Sequence, residues 1–374
     1  MRNQKLLSVV VNNYNYARFV DAAVTSALVQ NPELTEVIVV DDGSTDNSRD
    51  VITRVANGAT TIFKQNGGQA SAFNAGFERA AGSWVIFLDA DDVLLKDCAE
   101  RLSAAAEPGA NKITWFMPII GPNGESCAGT APIHTPASGD LRQRLIDKGP
   151  IAFEHAPCSG NAWSRSFLET VFPMPEEPFR QGADGYLVHL SPLYGRTVLS
   201  KESLSAYRRH GENFLATKDQ FEMRDELRQR YPVLADILAQ HLTRCGLCFN
   251  RANWHYDYWD RLDELEAAIL EYVPEKTPFI LVDDNTLNVG CEFKGRPCRN
   301  LSDQDGIYVG PPENGDLALE RLRAFRRQGV RYAVFMWHSF WWFECYPELR
   351  HYIEASAVLL HRSDTSMIYR LDEV

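Results

Sequence analysis

Four short apolar runs stand in the first quarter of the chain, LLSVVV (6–11), EVIVV (36–40), TIF (61–63) and WVIFL (84–88), and polar residues follow each of them. The longer runs are continuous rather than alternating, which predicts strands buried on both faces. Between them, apolar positions recur at helical spacing. Val20, Ala23, Val24, Ala27 and Leu28 form one such face, ending at Asn31-Pro32. Val51, Ile52 and Val55 form a second, behind a cap at Ser44 or Asp46, and Ala70, Phe73, Phe77 and Ala80 a third. A further helix is expected from about Lys96 to Glu107. Strand and helix in alternation predict an α/β fold, a mostly parallel sheet covered by helices on both faces. Ligands of such sheets sit beyond the carboxyl ends of the strands. Asn12 to Tyr14, Asp41-Asp42 and Asp89 to Asp92 all fall at strand ends, so they should share one edge.

Beyond that point the pattern is less regular. ITWFMPIIGPNGES (113–126) reads as two strands around a Pro-Asn-Gly turn, and residues 130–160 read as irregular. A helix near Ser164 to Val171 and strand-like residues up to Tyr207 follow. Residues 219–273 are mostly helical, with a break expected at Pro232. VPEKTP (273–278) opens a last unit with the strand FILV, a helix from about Asp316 to Gln328, the strand YAVF, a short helix and two closing strands. The expected organisation is therefore a first domain at 1–215, a helical segment at 216–274 and a small α/β domain at 275–374. FILVDD (279–284) echoes VIVVDD (37–42), which is too little for a repeat.

Composition narrows the partners. At 374 residues the chain exceeds one ordinary core. A formal net charge of −12 gives no basic face for nucleic acid. No stretch reaches the ~18 apolar residues of a membrane span, and MRNQKLLSVVVNNYN is interrupted too early for a signal peptide. The 8 cysteines include one C-x-x-C, Cys245 and Cys248, without a second pair at zinc spacing. Ordinary reduced thiols and a cytoplasmic setting, with room for contact at the inner face of a membrane, are the expectation.

The apolar strand WVIFL runs directly into DADD, three carboxylates that repel one another unless a turn solvates them or a cation binds. As a calcium loop the segment fails, because Val93 and Leu94 occupy the fifth and sixth positions of the twelve. VIFLDADDV also fits the D-x-D-x-[TV] pattern of haloacid dehalogenase phosphatases, with Asp89 as nucleophile and Asp91 as acid. In those chains the motif opens the domain, whereas here two strand–helix units precede it.

A third likeness extends over about residues 6–214. SVVVNNYNYARFVDAAVTSALVQ, EVIVVDDGSTDNS, NGGQASAFNAGFERAAGSWVIFLDADD, QGADGYL (181–187) and YRRHGEN (207–213) resemble, in order, the segments of the inverting family 2 glycosyltransferases of GT-A fold. The resemblance implies a nucleotide-sugar donor, a UDP-sugar being the commonest in the family. It implies a hydroxyl acceptor on a glycan, lipid-linked or other molecule, and Mn2+ or Mg2+ at the D-x-D turn. It makes Asp42 the acceptor of a uracil imide proton, Tyr14 a flank for the base, and Asn12 and Asn13 polar contacts beside it. Asp89 and Asp91 would contact the donor, and Asp91, with Asp92 or His210, would hold the metal. Asp184 would be the general base.

Each of these residues also has a plain structural reading. Asp41 and Asp42 could simply open a helix, Asp184 could cap one, and His210 could be a turn histidine. Trp163 suits a sugar face or a core equally. Which of Asp89, Asp91 and Asp92 holds metal stays open, with Asp91 favoured. A catalytically inactive nucleotide-sugar-binding or scaffold protein is the alternative function. The aromatic run FMWHSFWWFECY (335–346) reads as core first, and as an acceptor, partner or membrane patch second, so an oligomer through the C-terminal region stays open.

Overall fold

The computed structural model describes residues 5–132, 134–150, 152–211, 213, 219–254, 257–287, 289–304 and 307–371. They fall into two compact units, Met1–Asn213 with Arg230–His255, and Phe214–Gln229 with Tyr256–Val374.

The first unit has eleven strands: β1 (Leu7–Asn13), β2 (Thr35–Asp41), β3 (Thr60–Phe63), β4 (Trp84–Asp89), β5 (Val93–Leu94), β6 (Ala110–Thr114), β7 (Met117–Ile120), β8 (Ser126–Ala131), β9 (Asn161–Ser164), β10 (Arg196–Leu199) and β11 (Ser205–Arg208). Its helices are α1 (Val20–Leu28), α2 (Ser48–Val55), α3 (Gln69–Arg79), α4 (Cys98–Ala105), α5 (Arg142–Lys148), α6 (Arg165–Val171) and α7 (Ala183–Tyr194). Seven strands form one sheet in the order β10-β6-β9-β4-β1-β2-β3. All neighbours are parallel except β9, which runs antiparallel to both β4 and β6. A smaller sheet, β5-β11-β7-β8, holds the Pro-Asn-Gly hairpin between β7 and β8.

The continuous apolar strands are explained by two cores. Successive side chains of a strand point to opposite faces. Val9, Val11, Val37, Val39, Ile86 and Leu88 pack with α1, α2 and α4 on one face. Val10, Ile38, Val40, Val85 and Phe87 pack with α3, α6 and α7 on the other. Phe73 of α3 stacks on Phe87 at 4.0 Å between ring centroids. Gly76 brings α3 close to the sheet, since a Cβ there would stand 2.3 Å from a Val10 methyl. The stretch read as irregular, 130–160, contains α5, and β9 sits within the sheet where no strand was expected.

α8 (Gln220–Arg244), whose residues up to Gln229 belong to the second unit and from Arg230 to the first, runs through Pro232 instead of breaking there. Proline cannot donate to the Arg228 carbonyl, and its ring crowds that carbonyl. Leu234, Leu238 and Leu242 beyond it are buried, so packing maintains the helix.

In the second unit, α9 (Asp257–Tyr272) precedes β12 (Phe279–Val282), β13 (Glu292–Phe293), β14 (Arg296–Asn300), β15 (Asp303–Gln304) and β16 (Ile307–Tyr308). Then come α10 (Gly315–Arg327), β17 (Tyr332–Met336), α11 (Trp342–Cys345), α12 (Pro347–Ser356), β18 (Ala357–Arg362) and β19 (Ser366–Leu371). Six strands form the sheet β13-β14-β12-β17-β19-β18. Ile280, Val282, Ala333 and Phe335 face α10 and α12, and Phe279, Leu281, Val334 and Met336 face α9. The aromatic run belongs to this core: Trp342 is fully buried, and the indole N–H groups of Trp341 and Trp342 donate to the two oxygens of Asp284, at 2.8 and 2.9 Å. Among the described residues no helix is long and apolar enough to cross a membrane.

Asp283, at the end of β12, makes this unit sensitive to pH. Its carboxylate accepts from the Leu287 and Asn285 amides and from Asn300, but burial dominates and pushes its pKa up to about 6. A carboxyl that holds its proton more tightly folded than unfolded adds stability below its unfolded value of 3.8, and loses it as pH climbs through about 6. That gap is worth up to about 3 kcal/mol. Urea unfolding between pH 4 and 7.5 should show stability falling across this window, and Asp283→Asn should flatten the slope. An unchanged slope in the variant would assign the pH dependence to other groups.

Candidate active site

Strand register brings the polar clusters together. In the parallel ladder Asn12 of β1 lies opposite Asp89 of β4, and Asn13 opposite Asp41 of β2. Because neighbours alternate, the two asparagines turn to opposite faces. The Asn12 amide donates to Asp89 Oδ1 at 2.7 Å, and the Asn13 amide to Asp41 Oδ1 at 2.9 Å. Both amide oxygens are buried without a protein partner among the described residues. Tyr14, just past β1, is 45% exposed.

Asp41 and Asp42 divide their work. Asp41 is fully buried and accepts from Asn13, Arg49 and the Ser44 amide, which closes the DDGSTD turn. Asn15, in the left-handed region at φ 60°, accepts from the amides of Thr45 and Asp46 on the other side of that turn. Asp42 is also buried. Its oxygens accept from Lys64 Nζ at 2.5 Å, Asn66 Nδ2 at 3.1 Å and the Gly68 amide at 2.7 Å, with the Gly67 amide at 3.1 Å. A base imide would therefore share oxygens that already fix the 64–68 loop.

Gln69, first residue of α3, then links the parts. Its Nε2 donates to Asp89 Oδ1 at 3.3 Å, and its Oε1 accepts from the Ala183 amide at 2.9 Å, next to Asp184. Through this one amide, the Asp42-held loop, the acidic turn and the start of α7 share the sheet edge. Electrostatics agrees with the contacts. Asp89 is held well above the ordinary carboxylate range by burial first, then by repulsion from Asp91 and Asp184. Asp92 is raised well above it by burial, then by Asp91 and Asp89.

The three acids of the turn have different surroundings. Asp89 is held by Asn12 and Gln69, and Ser159 Oγ accepts from its backbone amide. Asp92 is 1% exposed and accepts from the Arg208 amide at 2.8 Å, which ties the turn to β11. Asp91 keeps its side chain 13% exposed, and its Oδ2 lies 3.1 Å from His210 Nε2. The His210 ring packs on Phe19 at 4.5 Å, and Asn213 accepts from its backbone amide at 2.8 Å. His210 Nδ1 is buried without a partner among the described residues. A carboxylate oxygen beside an imidazole nitrogen could hold a divalent ion, and the nitrogen suits Mn2+ better than Mg2+. Among the described residues no three His, Cys, Asp or Glu side chains gather as ligands, so other ligands would have to complete such a shell.

Asp184, in the first turn of α7, is half-buried, and among the described residues its carboxylate receives no hydrogen bond. Trp163 is 1% exposed with its ring under the Lys112 ammonium, which places it in the core. Lys64, Gln69, Ser159, Arg208 and Asn213 were not among the expected site residues.

The span from β1 to β9 carries a sequence signature of its own. Residues 8–162 match the profile described as Glycosyl transferase family 2. They are a domain of that family. The family match leaves no place for the phosphatase reading of Asp89 and Asp91. The chain is similar to an uncharacterized glycosyltransferase of Nostoc sp., 38% identical over 212 residues, which cover 55% of this chain and 66% of the relative. A putative teichuronic acid biosynthesis glycosyltransferase of Bacillus subtilis is 39% identical over 106 residues, 27% of this chain and 42% of that one. The chain thus spans less than two thirds of each relative's length. A solved structure, S. aureus TarS 1-349 in complex with UDP-GlcNAc, aligns over 66% of this chain and 74% of its own at 19% identity, with a TM-score of 0.44, a likeness too distant to transfer a ligand. Asp184, His210 and Asn213 lie outside the matched family 2 span, and reach its acidic turn only through the fold.

Proposed function

We propose that this chain transfers a sugar from a nucleoside diphosphate, a UDP-sugar in the first instance, to a hydroxyl group of a glycan or lipid-linked acceptor. The Gln69 bridge supports this reading most directly, because it ties the donor-side turn at Asp89 to the helix that carries Asp184. Asn12, Asn13 and Tyr14 receive the nucleoside, and Asp42 acts on it through the loop that Lys64, Gly67 and Gly68 form around its carboxylate. Asp91 and His210 are the side chains that would hold a divalent ion. Bound there, such an ion would carry the negative charge that grows on the departing diphosphate, with phosphate oxygens completing its shell. Asp92 positions Asp91 by anchoring the turn to Arg208.

Asp184 accepts the proton of the attacking hydroxyl late in the reaction. Attack opposite the diphosphate is a single displacement, so an α-linked donor gives a β-linked product. Assembly of an envelope polysaccharide would suit the relative from Bacillus subtilis named for teichuronic acid biosynthesis. The test is equilibrium titration of the full chain with a panel of nucleotide sugars, with and without manganese. At least one donor should bind more tightly with the metal, and binding of none would overturn the proposal.

A further inference from the structure

Cys291 and Cys298 have no part in the reaction as described, and both are free thiols, the first exposed and the second buried. The hairpin of β13 and β14 sets them against each other. Its strands pair antiparallel, with Phe293 opposite Arg296 and Glu292 opposite Pro297. Lys294 and Gly295 turn the chain between them, both in the left-handed region at φ 46° and 76°, as a tight two-residue hairpin requires. One step further from the turn, Cys298 lies opposite Cys291, and its amide donates to the Cys291 carbonyl at 2.9 Å. Pro297, with no N–H to give, stands at the intervening position, where the hairpin needs no amide.

Opposed residues of a hairpin project to one face, so both sulfurs lie on the side where Phe293 and Arg296 are buried. A hydrogen-bonded antiparallel pair stands about 5.5 Å apart at Cα, within the ~4.4–6.8 Å that a disulfide spans. At Cβ the pair is ~4.5–5.5 Å apart and a disulfide ~3.5–4.5 Å, so the bond must draw the strands together. Strain of that kind makes a disulfide easy to reduce. β13 is the outermost strand of its sheet and is free to move toward β14. Access to the two thiols is unequal. Cys291 meets solvent, whereas Cys298 is 2% exposed. Burial first, then Asp283, Asp303 and Cys291 itself, hold the Cys298 thiol well above its ordinary range, which leaves Cys291 to react first.

We propose that Cys291 and Cys298 are a redox-modification site, a thiol pair that a small-molecule disulfide of the glutathione type converts reversibly into a cross-strand disulfide. The Cys291 thiolate attacks one sulfur of glutathione disulfide, and one glutathione thiolate leaves. Cys298 then gives its proton to water and attacks Cys291 Sγ, expelling the second glutathione. Two protein thiols are oxidised by two electrons, and one glutathione disulfide is reduced to two glutathione molecules. The product staples β13 to β14, the strand whose Asn300 donates to Asp283. None of this depends on the transferase reading.

The experiment incubates the full chain with glutathione disulfide, blocks the remaining thiols with an alkylating agent and maps tryptic peptides by mass spectrometry. Cleavage after Lys294 separates the two cysteines, so their link appears as a joined pair of peptides. The joined pair should form, preceded by glutathione on Cys291, and an excess of reduced glutathione should return both to thiols. Cys298→Ala should stop at glutathione on Cys291. Cys291→Ser should slow modification of Cys298 at least about tenfold, since Cys298 then reacts only when the hairpin opens. Circular dichroism reports the fold of each variant. Absence of the joined pair would overturn the assignment, as would a pair that excess glutathione does not reverse, or Cys298 joined to a different cysteine. If Cys298→Ala does not fold, Cys291→Ser, altered at an exposed position, decides: undiminished modification of Cys298 there would overturn the assignment.

Discussion

Asp184→Asn should keep donor binding while transfer falls by a factor of about a hundred to ten thousand, the usual contribution of a positioned general base. The carboxamide has nearly the same shape but no basic oxygen, so only the proton transfer is lost. The local fold should survive, because the start of α7 is held by backbone contacts. Gln69 accepts from the Ala183 amide, and Gly182 takes the left-handed turn at φ 66°. The carboxylate itself is not committed to any protein donor among the described residues, so its removal leaves none unsatisfied. Two measurements are needed together: the donor dissociation constant by titration, and the transfer rate by product release. Loss of both would mean that the variant damages the donor site. Full transfer with intact binding would remove Asp184 from the mechanism and return it to the role of a helix-start acid.

The parts of this site that the sequence makes legible are those where chemistry follows an apolar strand. Asn12, Asp42 and Asp89 each stand at the end of a buried run, and parallel pairing alone is enough to align them. The contacts that assemble the site are long-range and leave no local trace. Gln69 reads as one polar residue opening a helix, yet it joins residues 20 and 114 positions away. Arg208 meets the acidic turn 116 positions earlier in the chain. Asp42 shows the converse problem, since its place at a strand end is legible but its commitment to Lys64 and the Gly67 and Gly68 amides is not. β9 escapes notice because NAWS is four residues long and buried throughout, so neither length nor alternation marks it. Pro232 misleads for a different reason. The rule against proline in helices is a cost of about 3 kcal/mol, and the buried leucines after it can offset that.

Asp91→Ala should abolish the metal-dependent part of donor affinity, weakening nucleotide-sugar binding in manganese about tenfold or more and leaving binding in chelator nearly unchanged. Asp91 is the acid to remove because the other two are already engaged, Asp89 by Asn12 and Gln69, and Asp92 by the Arg208 amide. Its partner is equally constrained. The His210 ring is packed on Phe19 and its backbone amide is tied to Asn213, so the imidazole cannot swing away and bind an ion without Asp91. Stability should move the other way from affinity. The Asp91 charge repels both Asp89 and Asp92 and helps to hold their protons on. Deleting it relieves that repulsion, while the hydrogen bonds it forfeits, with His210 and Asn213, are part-buried and end on the partly exposed Asp91 side chain. The melting temperature without metal should therefore hold or rise. An affinity loss accompanied by a lower melting temperature would indicate a collapsed turn, and an unchanged response to manganese would move the ion away from Asp91. Weaker donor binding in a fold at least as stable is the combination that a metal ligand, and not a structural acid, would produce.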